Sequence, residues 1–387
     1  MAQILSYEDP AGRVRGWLAY DGDTAPLAAG GCRMRPGLGA AELAGLAGRM
    51  TLKQRVLGLN VDGAKCGVDH DPRAADAEEA MSGFLAFLHD ELHQRFSMGS
   101  DMGTRWDDLQ RLAAGQGIPS VKYAVKTAQR LSDHDFFARM ASLDEQAGLL
   151  TLSGRRAGHV LAHAAIGAAR AAGGSGNLSV ALQGFGTLGR AAACTFLEEG
   201  VRVTAVSDEY GCAADPAGLD LERLLRSAPG TPVPELAPGR TLPGNASLFG
   251  VSADVLVLAA GADAVDAEQA GKLGCPAVAV GANHGLTDAT EDALHARGVL
   301  VVPDFIGGIG GSASMEALFG ARTVPSAAQV LSRSAHLTRQ LVDELFTVAR
   351  RHAESPRSAA LRLAERTRID ASAPPYGTCP YLKPSDL

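Results

Sequence analysis

The chain has 387 residues, 46% of them hydrophobic and 20% charged, enough to bury a sizeable core and too many for a small scaffold stapled by disulfides or metal. At roughly 150 residues per domain the length predicts two domains. With 36 basic against 43 acidic side chains the formal charge is −7, so no field is set up to gather nucleic acid or an anionic membrane.

Six cysteines (Cys32, Cys66, Cys194, Cys212, Cys275, Cys379) are scattered without a CxxC pair or metal-ligand spacing, which predicts reduced thiols, no metal and a cytoplasmic setting. The opening Met1–Leu5 meets Glu8 and Asp9, a pattern that predicts no export leader. No run of about 18 apolar residues predicts a membrane span.

In chain order, Ile4–Ser6, Val14–Tyr20 and Leu27–Arg33 read as strands. Helices follow at Ala40–Val56, Ala74–His93 and Trp106–Ala114, so residues 1–145 form an α+β unit. A helix over Arg156–Ala172 leads to the Gly173–Asn177 run, and from Leu178 strand and helix alternate. The strands are Leu178–Gln183, Val201–Val206, Asp254–Leu258, Ala277–Val280 and Val299–Val302; the helices are Thr187–Glu199, Leu219–Arg226, Asp266–Leu273 and Asp288–Arg297. Short apolar strands between amphipathic helices predict a doubly wound parallel sheet, a Rossmann-type unit over 146–334. Helices at Ala327–His352 and Ser358–Ile369 close the chain; their length predicts that 335–387 packs back on the first domain and leaves a cleft for the active site.

Gln183 ends an apolar strand, and Gly184-Phe185-Gly186-Thr187-Leu188-Gly189 opens the next helix as GxGxxG. The first glycine permits a tight turn, the second lets a pyrophosphate reach the backbone, the third lets helix and strand pack closely, and the helix N-terminus favours the phosphate charge. Asp208, 24 positions after Gly184 at the end of the following strand, suits the adenosine ribose hydroxyls. That pattern favours NAD, with NADP left open because Arg202 stands nearby.

Four segments of the first unit set charge among glycine and apolar neighbours: Gly30-Gly31-Cys32-Arg33, Met50-Thr51-Leu52-Lys53, Asp62-Gly63-Ala64-Lys65 and Ser100-Asp101-Met102-Gly103-Thr104. A lysine is ordinarily a solvated surface residue. Two lysines and a carboxylate near glycine turns, in a chain with a dinucleotide fingerprint, suit oxidation of an amino acid. One cation fixes the carboxylate, one amine serves as acid and base, and one carboxylate handles the ammonium group.

Those segments, with Gly58-Leu59-Asn60-Val61, Gly281-Ala282-Asn283 and Val302-Pro303-Asp304 in matching order, make the chain resemble the glutamate/leucine/phenylalanine/valine dehydrogenases, nearest the leucine/phenylalanine/valine branch. The resemblance implies an α/β fold of two domains, a substrate and oligomerisation domain followed by a dinucleotide-binding domain, and a homo-oligomer. It implies that Lys65 is the catalytic lysine that activates water, Asp101 the catalytic aspartate, and Lys53 the anchor of the substrate carboxylate. Gly30 and Gly31 would line the substrate pocket, and Ala260 and Asn283 would meet the nicotinamide ribose side. The implied reaction is reversible oxidative deamination of an L-amino acid to a 2-oxo acid and ammonia with NAD(P). Glutamate-specific members place a lysine just before the glycine pair, where this chain has Ala29, so an apolar or unusual side chain is expected.

The chain departs from the family pattern at informative places. Asp62 replaces a glycine beside the catalytic lysine, where a carboxylate would hold the ammonium form and work against a base. Gly308 stands where an asparagine helps hold substrate, and Gly154-Arg155-Arg156-Ala157-Gly158 stands where a Pro-x-Thr meets the nicotinamide. Thr187 replaces an asparagine, and His284 a small or amide residue. Arg155 and Arg156 at a helix start, the end that disfavours cations, point to a ligand or acidic partner. The departures fit neutral drift or a pocket retuned for a non-standard substrate; the alternative readings are a reductase of an imine or specialised biosynthetic intermediate that uses the same hydride and lysine/aspartate machinery, and a non-catalytic nucleotide-binding relative.

Overall fold

The first strands of the computed structural model pair as a hairpin, β1 (Gln3–Glu8) against β2 (Arg15–Asp21), with Ile4 opposite Ala19 and Tyr7 opposite Gly16. The structure describes residues 3–237, 240–261 and 264–382. The chain divides into one unit of Met1–Ala138 with Ala364–Pro380 and a second of Arg139–Leu363 with Tyr381–Leu387. The first segment of the first unit runs to 138, where the pattern of strands and helices set the boundary at 145.

In the first unit β3 (Ala28–Met34), α1 (Ala40–Val56), β4 (Asp62–Asp69), α2 (Ala77–Phe87), α3 (His89–Gln94), β5 (Phe96–Ser100), α4 (Trp106–Gly115), α5 (Ala124–Gln129) and α6 (Asp133–Ala141) follow. The sheet order is β1-β2-β4-β3-β5, with β3 parallel to both β4 and β5. One face packs Leu18, Cys32, Cys66, Phe84 and Phe96 into a core. Ala19 on the other face packs with Leu43 and Ala47 of α1. Buried on both sides, β4 shows no alternation of apolar and polar residues, and neither it nor β5 was expected from the sequence. Both carry or precede the charged motifs.

The returning segment 364–380 is tied to the turn after α1. Asn60 Nδ2 donates to Asp370 O at 2.5 Å and Ala373 O at 2.8 Å, and Asn60 Oδ1 accepts from Asp370 N at 3.0 Å. Asn60 is buried, so Asn60→Ala leaves three backbone groups unpaired at once. The expected cost is about 2 kcal/mol of stability; an unchanged urea midpoint would show that water replaces the amide.

The second unit opens with a hairpin, β6 (Gln146–Ala147) and β7 (Leu150–Thr151), and α7 (Leu152–Ala171), which Thr151 caps by accepting from Gly154 N. β8 (Ser179–Gln183), α8 (Thr187–Glu198), β9 (Arg202–Ser207), β10 (Cys212–Ala214), α9 (Leu221–Arg226), α10 (Val233–Leu236), β11 (Thr241–Leu242), β12 (Val255–Leu258) and α11 (Ala267–Lys272) follow. The unit continues through β13 (Ala277–Val280), α12 (Asp288–Ala296), β14 (Leu300–Val302), α13 (Asp304–Gly307), α14 (Gly310–Phe319), α15 (Ala327–His352) and α16 (Pro356–Glu365), the last running past Leu363. Its sheet runs β11-β10-β9-β8-β12-β13-β14, parallel from β9 to β14. Strand order reverses at β8, which makes the carboxyl ends of β8 and β12 the topological switch point.

Length alone set 335–387 against the first unit; residues 364–380 fall there, whereas the long helix α15 belongs to the second. Small residues of α7 let it approach: a Cβ on Gly167 would lie 2.9 Å from Val342 Cγ1. Val330, Leu337, Leu341 and Leu345 line its buried stripe. Among the described residues no helix is long and apolar enough to cross a membrane.

Candidate active site

Lys65, Asp101 and Gly31 come together on the face of the first sheet that α1 covers. Lys65 pairs across β2 with Ala19, which packs under α1, so alternation places Lys65 on that face and Cys66 on the other. In the order β4-β3-β5, Lys65 stands on one side of β3 and Asp101, just past β5, on the other. Two strand spacings separate them, roughly 10 Å of backbone. Gly31 lies between, and a Cβ there would stand 3.0 Å from Asp101 Cβ and 3.1 Å from Lys65 Nζ. The lysine stem therefore crosses β3 over a position without a side chain, and its Nζ reaches Asp101 Oδ2 at 2.6 Å.

Gly30 has a different reason. A Cβ there would fall 1.6 Å from Ala64 O, so it permits β3 to close on β4. Asp101 is set by the turn that follows: Asp101 N donates to Thr104 Oγ1 at 3.0 Å, Thr104 Oγ1 donates to Cys32 O at 2.8 Å, and Met34 N donates to Met102 O at 2.9 Å. Gly103 has φ +76° and would drive a Cβ to 1.9 Å from Met34 O, so the turn accepts only glycine.

Lys53 is buried on α1, the helix that packs on β4. Thr51 locks the two together, its Oγ1 donating to Asp21 O at 2.9 Å and accepting from Gly63 N at 3.1 Å. Asp62 makes its ion pair and hydrogen bonds away from Lys65. Three residues away on a strand, it points to the opposite face, where Arg55 Nη2 binds its Oδ1 at 2.6 Å and the amides of Thr24 and Ala25 donate to Oδ2 at 3.2 and 3.0 Å. Sequence reasoning gave no role to Arg33, whose Nε lies 3.0 Å from Asp101 Oδ2 and whose Nη1 lies 2.9 Å from Glu42 Oε1. The i, i+2 spacing of Gly31 and Arg33 on one strand was the signal available for it. Burial pushes the Asp101 carboxyl up, but Lys65 and Arg33 outweigh it and hold the group below the ordinary carboxylate range.

In the second unit the three fingerprint glycines stand in different surroundings. Gly184 has φ +90°, and a Cβ there would lie 2.8 Å from Ala259 C and 3.0 Å from Ala260 N. Ala260 is thereby placed beside the turn, at the switch point. A Cβ on Gly189 would meet Gly184 O at 1.9 Å, whereas one on Gly186 would meet nothing within 4 Å. The middle glycine thus leaves open space at the N-terminus of α8, a place where backbone amides receive a pyrophosphate. Thr187 begins that helix and is exposed. Phe185 is buried with Arg190 over its ring at 5.2 Å, and Leu188 packs toward Gly281, so these two side chains serve packing.

Asp208 closes the loop after β9, its Oδ1 accepting from Tyr210 N and Gly211 N at 2.9 Å and its Oδ2 from Val233 N at 2.6 Å. A carboxylate has about four acceptor sites, so the loop uses most of them. Asn283 follows β13, beside His284, whose φ is +55° and whose N–H donates to Asp304 Oδ2 at 2.9 Å. Gly184, Ala260 and Asn283 thus lie just past the carboxyl ends of the adjacent strands β8, β12 and β13. Arg155 is buried on α7, paired with Glu198 of α8 and donating to Ala147 O at 2.7 Å. Its acidic partner is therefore internal, while Arg156 donates to Ser314 Oγ at 3.1 Å.

A lysine–aspartate pair in one unit and a glycine-fitted dinucleotide turn in the other define a nucleotide-dependent oxidoreductase of the amino-acid dehydrogenase class. The Glutamate/Leucine/Phenylalanine/Valine dehydrogenase model matches residues 156–373 and the Glu/Leu/Phe/Val dehydrogenase dimerisation-domain model residues 6–114. The chain belongs to this family. It is 27% identical over 298 residues to a glutamate dehydrogenase of Aeropyrum pernix, covering 76% of this chain and 69% of that protein. It is 30% identical over 293 residues to an NADP(+)-dependent glutamate dehydrogenase of Pyrobaculum calidifontis, covering 73% and 66%. Among solved structures, the hetero-hexameric glutamate dehydrogenase from Thermus thermophilus in its leucine-bound form is similar over 95% of this chain and 88% of that one, with a TM-score of 0.69 and 27% identity. The chain is thus an NAD(P)-dependent oxidoreductase acting on the CH–NH2 group.

Proposed function

We propose that the protein catalyses reversible oxidative deamination of an apolar or unusual L-amino acid, with NAD as the preferred acceptor and in a homo-oligomer. The amino acid, the oxidised dinucleotide and water give the 2-oxo acid, ammonium, the reduced dinucleotide and a proton. The observation that carries the reading is the 2.6 Å contact of Lys65 with Asp101 over Gly31. Lys53 holds the substrate α-carboxylate as a buried cation. Asp101 takes a hydrogen bond from the amino group and relays its proton, and Lys65, once without its own proton, draws one from the water that attacks the iminium carbon. When bound, the dinucleotide supplies the hydride acceptor; the turn at Gly186 and the end of β12 would hold it, with Asp208 toward the ribose and Asn283 toward the nicotinamide side.

Two features support the finer choices. Ala29 shares the face of β3 with Gly31 and Arg33, opposite Gly63 of β4, so where the glutamate-specific pattern puts a cation this site has a methyl group. Matched relatives include NAD-specific and NADP-specific enzymes, and Asp208 disfavours a 2′-phosphate by charge. The test is oxidation of NADH, then NADPH, with aliphatic, aromatic and acidic 2-oxo acids, each with and without ammonium. Ammonium-dependent oxidation of NADH with an apolar oxo acid is expected. A preference for 2-oxoglutarate would overturn the side-chain assignment, and turnover of an imine without ammonium would overturn the reaction.

A further inference from the structure

Asp101 is held by two cations through one oxygen. Lys65 Nζ and Arg33 Nε both reach Oδ2, at 2.6 and 3.0 Å, and Arg33 continues to Glu42, which also pairs with Arg35. Arg33 and Lys65 are both buried, so water screens these charges weakly. A lysine that acts as a base changes charge in each turnover, whereas a guanidinium keeps its charge throughout. Without a second cation, Asp101 would become an uncompensated, largely buried carboxylate whenever Lys65 lacked its proton.

We propose that Arg33 is a positioning residue of this reaction, a permanent counter-ion that holds Asp101 in place and favours its ionised form between proton transfers, whichever protonation state Lys65 holds. Glu42 sets how much of the Arg33 charge reaches Asp101. The inference rests on the roles proposed above for Lys65 and Asp101. The charged and titratable groups around the pair are Arg33 on β3, Glu42 on α1, Arg35 after β3, and the thiols Cys32 and Cys66. Burial pushes the Cys66 thiol well up, so it stays neutral and leaves the balance to the ions. Because the guanidinium shares an oxygen with the ammonium, it also repels it, which makes the Lys65–Asp101 unit easier to deprotonate as a whole.

The test is the pH dependence of kcat/KM for deamination in Arg33→Gln, Arg33→Lys and Glu42→Gln, with Lys65→Ala and Asp101→Asn alongside. Removing a fixed positive charge should move the midpoint of the ascending limb up by about one pH unit, roughly a tenfold loss at a fixed pH on that limb. Arg33→Lys should restore most of the shift. Removing the negative charge of Glu42 should move the midpoint the other way. A residue that merely braced the turn would lower kcat without moving the midpoint, and that result, or shifts of the same sign in Arg33→Gln and Glu42→Gln, overturns the inference. Should Arg33→Gln not fold, Glu42→Gln decides alone: a downward midpoint supports the inference and an unmoved one overturns it. Turnover surviving in Lys65→Ala or Asp101→Asn would instead refute the underlying assignment of the pair.

Discussion

Lys65→Ala is expected to lower kcat/KM for deamination about 1,000-fold or more while leaving dinucleotide affinity within about twofold. Acid–base groups of this kind are worth about 100- to 10,000-fold, and Lys65 lies on a strand of the first unit, whereas the dinucleotide turn belongs to the second. The fold should survive, because Asp101 keeps Arg33 at 3.0 Å when the lysine is gone. Lys65→Arg sharpens the test. It preserves a cation next to Asp101 but cannot serve as a base, since arginine does not release its proton in a protein. Both variants should therefore fold and be inactive, as read by kcat and by dinucleotide fluorescence titration. Activity of Lys65→Arg within tenfold of the parent would mean that Lys65 contributes charge and no proton transfer.

The second large effect concerns acid stability. His159 and His163 lie one turn apart on α7 with ring centroids 4.5 Å apart, both buried. His159 Nδ1 contacts Thr195 Oγ1 and its Nε2 contacts Leu331 O, each at 3.0 Å. Burial, against the rise from the Leu331 carbonyl, brings His159 down to about 4, and burial with the neighbouring His159 brings His163 down to about 3. In the unfolded chain both titrate near 6.5. Above pH 6.5 neither state binds the proton and nothing is lost. As pH falls below 6.5 the unfolded chain takes protons that the native state refuses, so stability declines until the folded pKa is passed.

Glu291 works in the opposite sense. Burial first, then Asp304 and Asp288, raise it to about 7 against the pull of Arg357, which binds it at 3.0 Å. The native state therefore gains protons at Glu291 between about 7 and 4.5, and the stability of the parent below pH 7 is a sum of opposed parts. Substitution separates them. His163 Nδ1 has no hydrogen-bond partner, so His163→Leu removes little bonding. Relative to its own value at pH 8, the variant should be more stable than the parent by about 2 kcal/mol at pH 5 and at most about 4 kcal/mol near pH 3.5. Urea midpoints across that range measure the difference; parallel curves for parent and variant would refute the buried-neutral assignment of His163.

Much of the candidate site was legible because its chemistry demands residue types that sequence displays directly. The GxGxxG run after an apolar strand announced its turn, and each glycine proved to stand where a Cβ would strike backbone or would fill the open space at α8. Lys65 and Asp101 were conspicuous as charges among glycines, and Lys53 as a charge after apolar residues. The strands that carry Lys65 and precede Asp101 were not legible, since a sheet covered on both faces loses its alternation. For the same reason Asp62 read as a neighbour of Lys65, when three residues along a strand set it on the other face, against Arg55.

What the sequence determined by itself was local: the dinucleotide turn, the parallel strand and helix alternation, the glycine-flanked charges and the family they belong to. Only the tertiary structure decided which charges meet. Lys65 reaches Asp101 across β3 because β4 and β5 flank that strand and Gly31 leaves the path open, and Arg33 shares the same carboxylate oxygen because the turn at Gly103 folds back onto Met34. α15 joined the second unit because its apolar stripe fits the small residues of α7. Pairings of this kind depend on strand order and on space between backbones, which are properties of contacts distant along the chain and leave no periodic trace in it.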